Sequence, residues 1–196
     1  MNILYVHGLG SGKNSSTLEL IKKFFPVHTI HSIEINECPY DSIMKIQRYV
    51  DTNKIDIAIG CSYGGYCLSQ VTGIGHRFLV NPAFMFDKIV KDRIGYGTYE
   101  FFCEREDKRK TYILDDAVVD IFNQHRASII ANNKNTTLLF STCDDFVGAD
   151  IQLKNIKFAL DYGYNNITMS DEFAHRINHN TLINIQREMY DNEICY

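Results

Sequence analysis

The sequence predicts an α/β fold: a compact, mostly parallel sheet of about six strands, in the order 2-1-3-4-5-6, with helices on both faces and one long insertion. Three observations carry this expectation. Short apolar runs alternate with segments of helical periodicity along the chain, the pattern of parallel strands joined by helical crossovers. With 196 residues, the chain has the length of one domain with a sizeable core. Finally, the first and third apolar runs each end in a glycine-rich loop. In this strand order those loops are neighbours at the point where the order reverses, and ligands bind there.

The elements follow in turn. Ile3–Val6 is the first strand. Ser16–Phe25 has helical spacing through Leu18, Ile21, Phe24 and Phe25, and Val27–Ile33 alternates as a second strand. Tyr40–Val50 places Ile43, Ile46, Tyr49 and Val50 on one helical face. Ile55–Ile59 is the third strand, and the helix after it runs to about Val71. Arg77–Asn81 is the fourth strand and stops at Pro82; Thr137–Ser141 is the fifth. A helix over Ile151–Leu160, a sixth strand Asn166–Met169 and a last helix over Asn180–Tyr190 complete a single domain, 1–196.

Segment 83–135 breaks the alternation, because a simple crossover needs far fewer residues. It reads as a partly helical cap insertion over the site. Its aromatic residues, among them Phe84, Phe86, Tyr99, Phe101, Tyr112 and Phe122, read as the cap's own small core. Its charge run, Glu104-Arg105-Glu106-Asp107-Lys108-Arg109-Lys110, reads as a solvated turn.

Composition narrows the function. A net charge of -4 argues against a general nucleic-acid-binding surface. No apolar stretch approaches the roughly 18 residues of a membrane span. The N-terminus lacks a basic region and reads directly as a strand, so the expectation is a cytoplasmic protein. Cys38, Cys61, Cys67, Cys103, Cys143 and Cys195 form no C-x-x-C pair and no zinc spacing. They read as small buried hydrophobes.

The chemistry begins at Gly60-Cys61-Ser62-Tyr63-Gly64, which fits G-x-S-x-G between an apolar run and a helix. In an α/β-hydrolase fold this context makes a nucleophile elbow, with the serine on a strained strand-to-helix turn. Serine needs a base at neutral pH, and an imidazole suits. A carboxylate then fixes the imidazole's tautomer. The chain order serine, acid, histidine selects the partners. After the fifth strand comes Thr142-Cys143-Asp144-Asp145-Phe146, where Asp145 is the candidate acid; Asp144 is the alternative, and reads equally as a helix cap. After the sixth strand, His175 is the candidate base, with His179 a weaker alternative at the start of the last helix. The i, i+4 spacing of the two histidines lacks the glutamate of H-E-x-x-H, so no metal is expected. The oxyanion donors should be the backbone N–H groups of Tyr63, after the nucleophile, and of Leu9, after His7-Gly8. His7 itself reads as structural, bonded to loop backbone.

A nucleotide reading of the first loop fails. Anchored on Gly12-Lys13, the P-loop pattern would put His7 where glycine is needed and Asn14 where Ser or Thr must hold Mg²⁺. The dinucleotide fingerprint fails as well, since its third glycine comes one residue early.

The chain resembles the YqiA/YcfP-like family of small bacterial α/β-hydrolase esterases. The resemblance rests on Leu4-Tyr5-Val6-His7-Gly8-Leu9, on Gly60-Cys61-Ser62-Tyr63-Gly64-Gly65-Tyr66, and on Val80-Asn81-Pro82-Ala83. It extends to the regions of Asp145 and His175. It implies esterase activity on short acyl esters without a cofactor. The family elbow commonly reads G-S-S-L-G-G-Y, so Cys61 and Tyr63 depart from it, and the adjacent aspartates leave the acid open. The expectation is a serine esterase or thioesterase acting on small acyl substrates. The rival is a non-catalytic ligand-binding protein on the same scaffold.

Overall fold

A computed structural model describes residues 1–127, 134–191 and 194. Six parallel strands form the main sheet: β1 (Asn2–Val6), β2 (Thr29–Ile33), β3 (Ile57–Cys61), β4 (His76–Val80), β7 (Thr136–Ser141) and β8 (Ile167–Ser170). Their order is β2-β1-β3-β4-β7-β8, which is the predicted order once the two strands of the insertion are counted. The expected cap insertion, 83–135, includes residues outside the described ones (128–133), and Cys195 also lies outside them.

Strand alternation divides the core in two. Leu4, Val6, Ala58, Leu79, Leu138 and Phe140 face one side. There they pack against α2 (Pro39–Thr52), α3 (Tyr63–Ser69) and α6 (Ala149–Asp161), through residues such as Ile46, Leu68 and Ile151. Ile3, Tyr5, Ile57, Ile59, Phe78 and Leu139 face the other. They meet Leu18 and Ile21 of α1 (Ser16–Phe24), and Leu182, Ile185 and Met189 of α7 (His179–Asp191). Because successive side chains of a strand point to opposite faces, one buried run fills both layers. All residues of β3, β4 and β7 are buried, as central parallel strands require.

Local signals set the element ends. Ser15 caps α1 by accepting from the Leu18 N–H at 3.4 Å, and Lys22 and Lys23 occupy its last turn, where the helix dipole favours cations. Pro39 opens α2, where its missing N–H costs nothing. Two strands start two residues later than the sequence reading, and the other strand limits shift by a residue or two. Val27 is 85% exposed and precedes β2. Asp56 stands before β3, where its carboxylate accepts the Asn2 N–H at 2.8 Å.

Between β4 and β7 the chain builds α4 (Phe86–Ile89), a π-helical turn (Val90–Ile94), an antiparallel hairpin of β5 (Gly97–Glu100) and β6 (Thr111–Leu114), and α5 (Asp116–Ala127). Two expectations are corrected here. The aromatics are not a separate core: Phe84, Phe86, Tyr112 and Phe122 belong to the same apolar cluster as Leu4 and Leu79. Nor is the charge run wholly solvated. Arg105 is 3% exposed and docks on the loop after β1, donating to the carbonyls of Ser11 at 3.1 Å and Ile35 at 3.0 Å. Its guanidinium also meets the buried Glu34 carboxylate at 3.4 Å and lies 4.1 Å from the Phe101 ring centroid. Arg109 reinforces the docking with a bidentate pair to Glu37 at 2.9 and 2.8 Å. Periodicity could not foretell this, because the partners lie 70 to 94 residues away in the sequence.

Candidate active site

The carboxyl ends of β1, β3, β4, β7 and β8 converge on one cavity of about 650 Å³. Ser62 stands at its floor between β3 and α3, with φ 54 and ψ -119. Only a residue over-determined by its surroundings holds such a backbone conformation. Here the Ser62 N–H donates to the Val80 carbonyl at 2.8 Å, and its own carbonyl accepts from the Ala83 N–H at 3.1 Å. The turn also needs two flanking glycines. A Cβ at Gly60 would lie 2.8 Å from the Gly64 carbonyl oxygen, and one at Gly64 would run into the carbonyls of Val6 and His7.

The loop after β8 supplies His175. Its Nδ1 bonds to Asp144 Oδ2 at 2.8 Å, and the Phe146 ring lies 4.6 Å from the imidazole, centroid to centroid. This corrects the sequence expectation, which put Asp145 beside the histidine. Asp144 turns inward because its other oxygen, Oδ1, accepts from the N–H groups of Phe146 at 3.1 Å and Val147 at 2.9 Å. The turn thus fixes one carboxylate oxygen and aims the other at the imidazole. The next residue points away: Asp145 is exposed on the cavity wall. Burial pushes the Asp144 carboxyl up, but the bonds from His175, Val147 and Phe146 outweigh it and hold the group below its ordinary range. His179 begins α7 and packs edge-on against Phe24, 5.4 Å between centroids, away from this cluster.

The loop after β1 faces the turn at Ser62. A Cβ at Gly8 would lie 3.6 Å from that of Ser62. Neither the Leu9 nor the Tyr63 N–H has a hydrogen-bond partner among the described residues, and both residues line the cavity. His7 is 1% exposed and ties the loop down: Nδ1 bonds to the Gly8 carbonyl at 2.8 Å, while Nε2 accepts the Ile35 N–H at 3.2 Å. Burial lowers its pKa to about 4, so the ring is neutral with its proton on Nδ1. Tyr63 turns its ring into the core, where its hydroxyl donates to the Glu37 carbonyl at 3.0 Å.

Sequence reasoning missed the tether of the histidine loop. Asn81, at φ 45 after β4, donates to the carbonyls of Ala174 at 2.8 Å and His175 at 3.1 Å. Its own carbonyl oxygen accepts from the Ser141 N–H at 2.7 Å and Gln152 Nε2 at 2.8 Å. Ser141 Oγ donates to the Phe173 carbonyl at 2.6 Å. The Val80-Asn81-Pro82-Ala83 element was visible in the sequence, but not what its asparagine binds. Cys61, which reads from the sequence as a packing residue, is 5% exposed, and its Sγ lies 3.5 Å from the His175 carbonyl. Burial pushes its thiol up to about 12, which keeps it protonated. Among the described residues no three of His, Cys, Asp and Glu converge to hold a metal ion, and no helix is long and apolar enough to cross a membrane.

The fold matches that of solved α/β-hydrolase structures. Est1E from Butyrivibrio proteoclasticus, solved with ferulic acid bound, superposes with a TM-score of 0.70 at 12% identity, over 98% of this chain and 88% of that one. A monoacylglycerol lipase from Paleococcus ferrophilus gives 0.64 at 11% identity, over 98% and 93%. The methylesterase MES16 from Arabidopsis gives 0.60 at 10% identity, over 97% and 99%. At such identities the likeness establishes the α/β-hydrolase fold. No curated protein matches the sequence. A family model does match residues 2–179, and the chain therefore belongs to the uncharacterised protein family UPF0227, the YqiA/YcfP family.

Proposed function

We propose that this protein is a cofactor-independent serine hydrolase that cleaves carboxylic esters or thioesters of small acyl substrates through an acyl-enzyme. The observation that carries the reading is the Asp144–His175 bond opening onto the same cavity as the strained Ser62. With Nδ1–H held by Asp144, the lone pair on Nε2 is the base. Ser62 Oγ attacks the acyl carbonyl as its proton passes to Nε2. Asp144 stabilises the imidazolium without taking the proton. The N–H groups of Leu9 and Tyr63 hold the oxyanion, each contributing about 3 kcal/mol to the transition state. His175 then protonates the leaving group and activates the water that releases the acid. Residues 83–135 act as the cap that selects the acyl group.

The test is p-nitrophenyl acetate turnover together with fluorophosphonate labelling. The wild type should label at Ser62. Ser62→Ala should lose label and lower kcat by more than about a thousandfold. Wild-type rates in that variant would overturn the mechanism. An unlabelled, inactive wild type would favour the ligand-binding rival.

A further inference from the structure

The cavity has two chemically different kinds of lining. Under the insertion its wall is apolar: Leu9, Ala83, Phe86, Ile89, Ile94 and Tyr99. Polar residues line it as well: Ser11, Ser15, Ser16 and Thr17 from the first loop and α1, and Arg176 from the histidine loop. Arg176 is exposed, and its guanidinium lies 5.4 Å from the ring centroid of Phe102. The Phe102 N–H bonds to the Gly10 carbonyl at 2.8 Å. These contacts put the guanidinium beside the serine- and threonine-lined wall.

Arg176 has no carboxylate partner among the described residues. The other cation on the wall, Arg93, is committed to Asp150 at 3.1 Å. The one exposed carboxylate there, Asp145, is carried by the loop after β7, so an anion in the cavity is drawn toward Arg176 and away from Asp145. Reaction chemistry then assigns the sides. His175 must deliver a proton to the leaving group, so the leaving group departs on the side of the histidine loop. Arg176 follows His175 directly in that loop.

We propose that Arg176 is a specificity residue, and that the preferred substrate joins an apolar acyl group, held under the insertion, to an alcohol or thiol bearing an anionic group such as a carboxylate. The proposal rests on the serine-hydrolase reading for its side assignment. The anion subsite itself rests on the unpaired guanidinium and the hydroxyl-rich wall.

The experiment compares 3-carboxyphenyl butyrate with its neutral isostere, 3-carbamoylphenyl butyrate, in the wild type, Arg176→Gln and Arg176→Lys. The wild type should favour the carboxylate about tenfold in kcat/KM, mostly through KM, and less at high salt. The ratio should fall to near one in Arg176→Gln and stay intermediate in Arg176→Lys. A wild-type ratio of one, or a preference that survives in Arg176→Gln, overturns the proposal. Calorimetry on Ser62→Ala separates this failure from that of the catalytic reading. 3-Hydroxybenzoate should bind about tenfold tighter than 3-hydroxybenzamide, and the difference should vanish when Arg176→Gln is added. If neither ester is cleaved by the wild type, the hydrolase reading falls and the titration alone decides the subsite. Equal binding of the two phenols then overturns it.

Discussion

Among the described residues two carboxylates are buried against basic partners, and the two pairs are built for opposite ends. Asp144 meets His175 at 2.8 Å, with the imidazole side chain 19% exposed toward the cavity and the carboxylate fully buried. Glu34 meets Arg105 at 3.4 Å, with both side chains only 2% exposed. In the first pair the partner is an imidazole that spends one ring nitrogen on the carboxylate and keeps the other free. In the second the partner is permanently charged, and its donors are spent on Glu34, Asp107 and the carbonyls of Ser11 and Ile35. One pair can move a proton. The other can only hold the insertion and the loop after β1 in place. Burial and distance look alike in both; what distinguishes them is a free ring nitrogen facing a cavity.

The largest test of this contrast is Asp144→Asn. The asparagine oxygen can still accept from Phe146 and Val147, so the turn should survive, with stability changed by no more than about 1 kcal/mol. The amide cannot hold the imidazole tautomer, so kcat should fall about ten-thousandfold. Asp145→Asn should stay within about threefold of wild type, as a surface change away from the bond network. Steady-state kinetics on the two variants decides the acid, and the reverse ranking would restore the role to Asp145.

Breaking the second pair should show the complementary pattern. Arg105→Met leaves Glu34 buried without its cation, which costs about 3–5 kcal/mol in urea denaturation. Adding Glu34→Gln removes the stranded charge while keeping an acceptor for the Glu106 N–H, so most of the loss should return. Because Ser11 and Ile35 lose their donor, the loop after β1 loosens, and the folded fraction of the single variant should also show a lower kcat. If Arg105→Met unfolds with the wild-type midpoint, the pair is not the clamp described here.

The same contrast explains what the sequence could disclose. The strained turn at Ser62 was legible because its geometry is local: five consecutive residues supply strand end, serine and both glycines. The strand order was legible because buried parallel strands announce themselves as apolar runs. The choice between Asp144 and Asp145 was not, since two identical neighbours differ only in which way one turn points them. Asn81 offered a signal, its place just after a strand, without its partners. Arg105 gave none. A charge run reads as solvated unless its distant acceptors are known, and here they come from Ser11 and from Glu34 and Ile35 at the end of β2.

His7 extends the comparison to a buried polar group that stays neutral. It holds the loop after β1 as Arg105 does, but through one donor and one acceptor, Nδ1–H to Gly8 and Nε2 from Ile35. Protonation would destroy the second bond, and burial lowers its pKa from 6.5 to about 4. Between those two values the unfolded chain binds a proton that the folded chain refuses. Stability therefore rises with pH across this window, is fully present above about 6.5, and declines on acidification until it levels off near 4. The separation corresponds to about 3 kcal/mol. His76, at the far end of the sheet, is also lowered to about 4 by burial, so the wild-type curve contains both contributions. His7→Gln removes only one. Urea midpoints of the two proteins from pH 7.5 to 4.5 should therefore converge as the pH falls, with the wild type more stable at the alkaline end. Parallel curves would mean that His7 binds its proton equally in the folded and unfolded chain, and that the loop after β1 does not depend on a neutral ring.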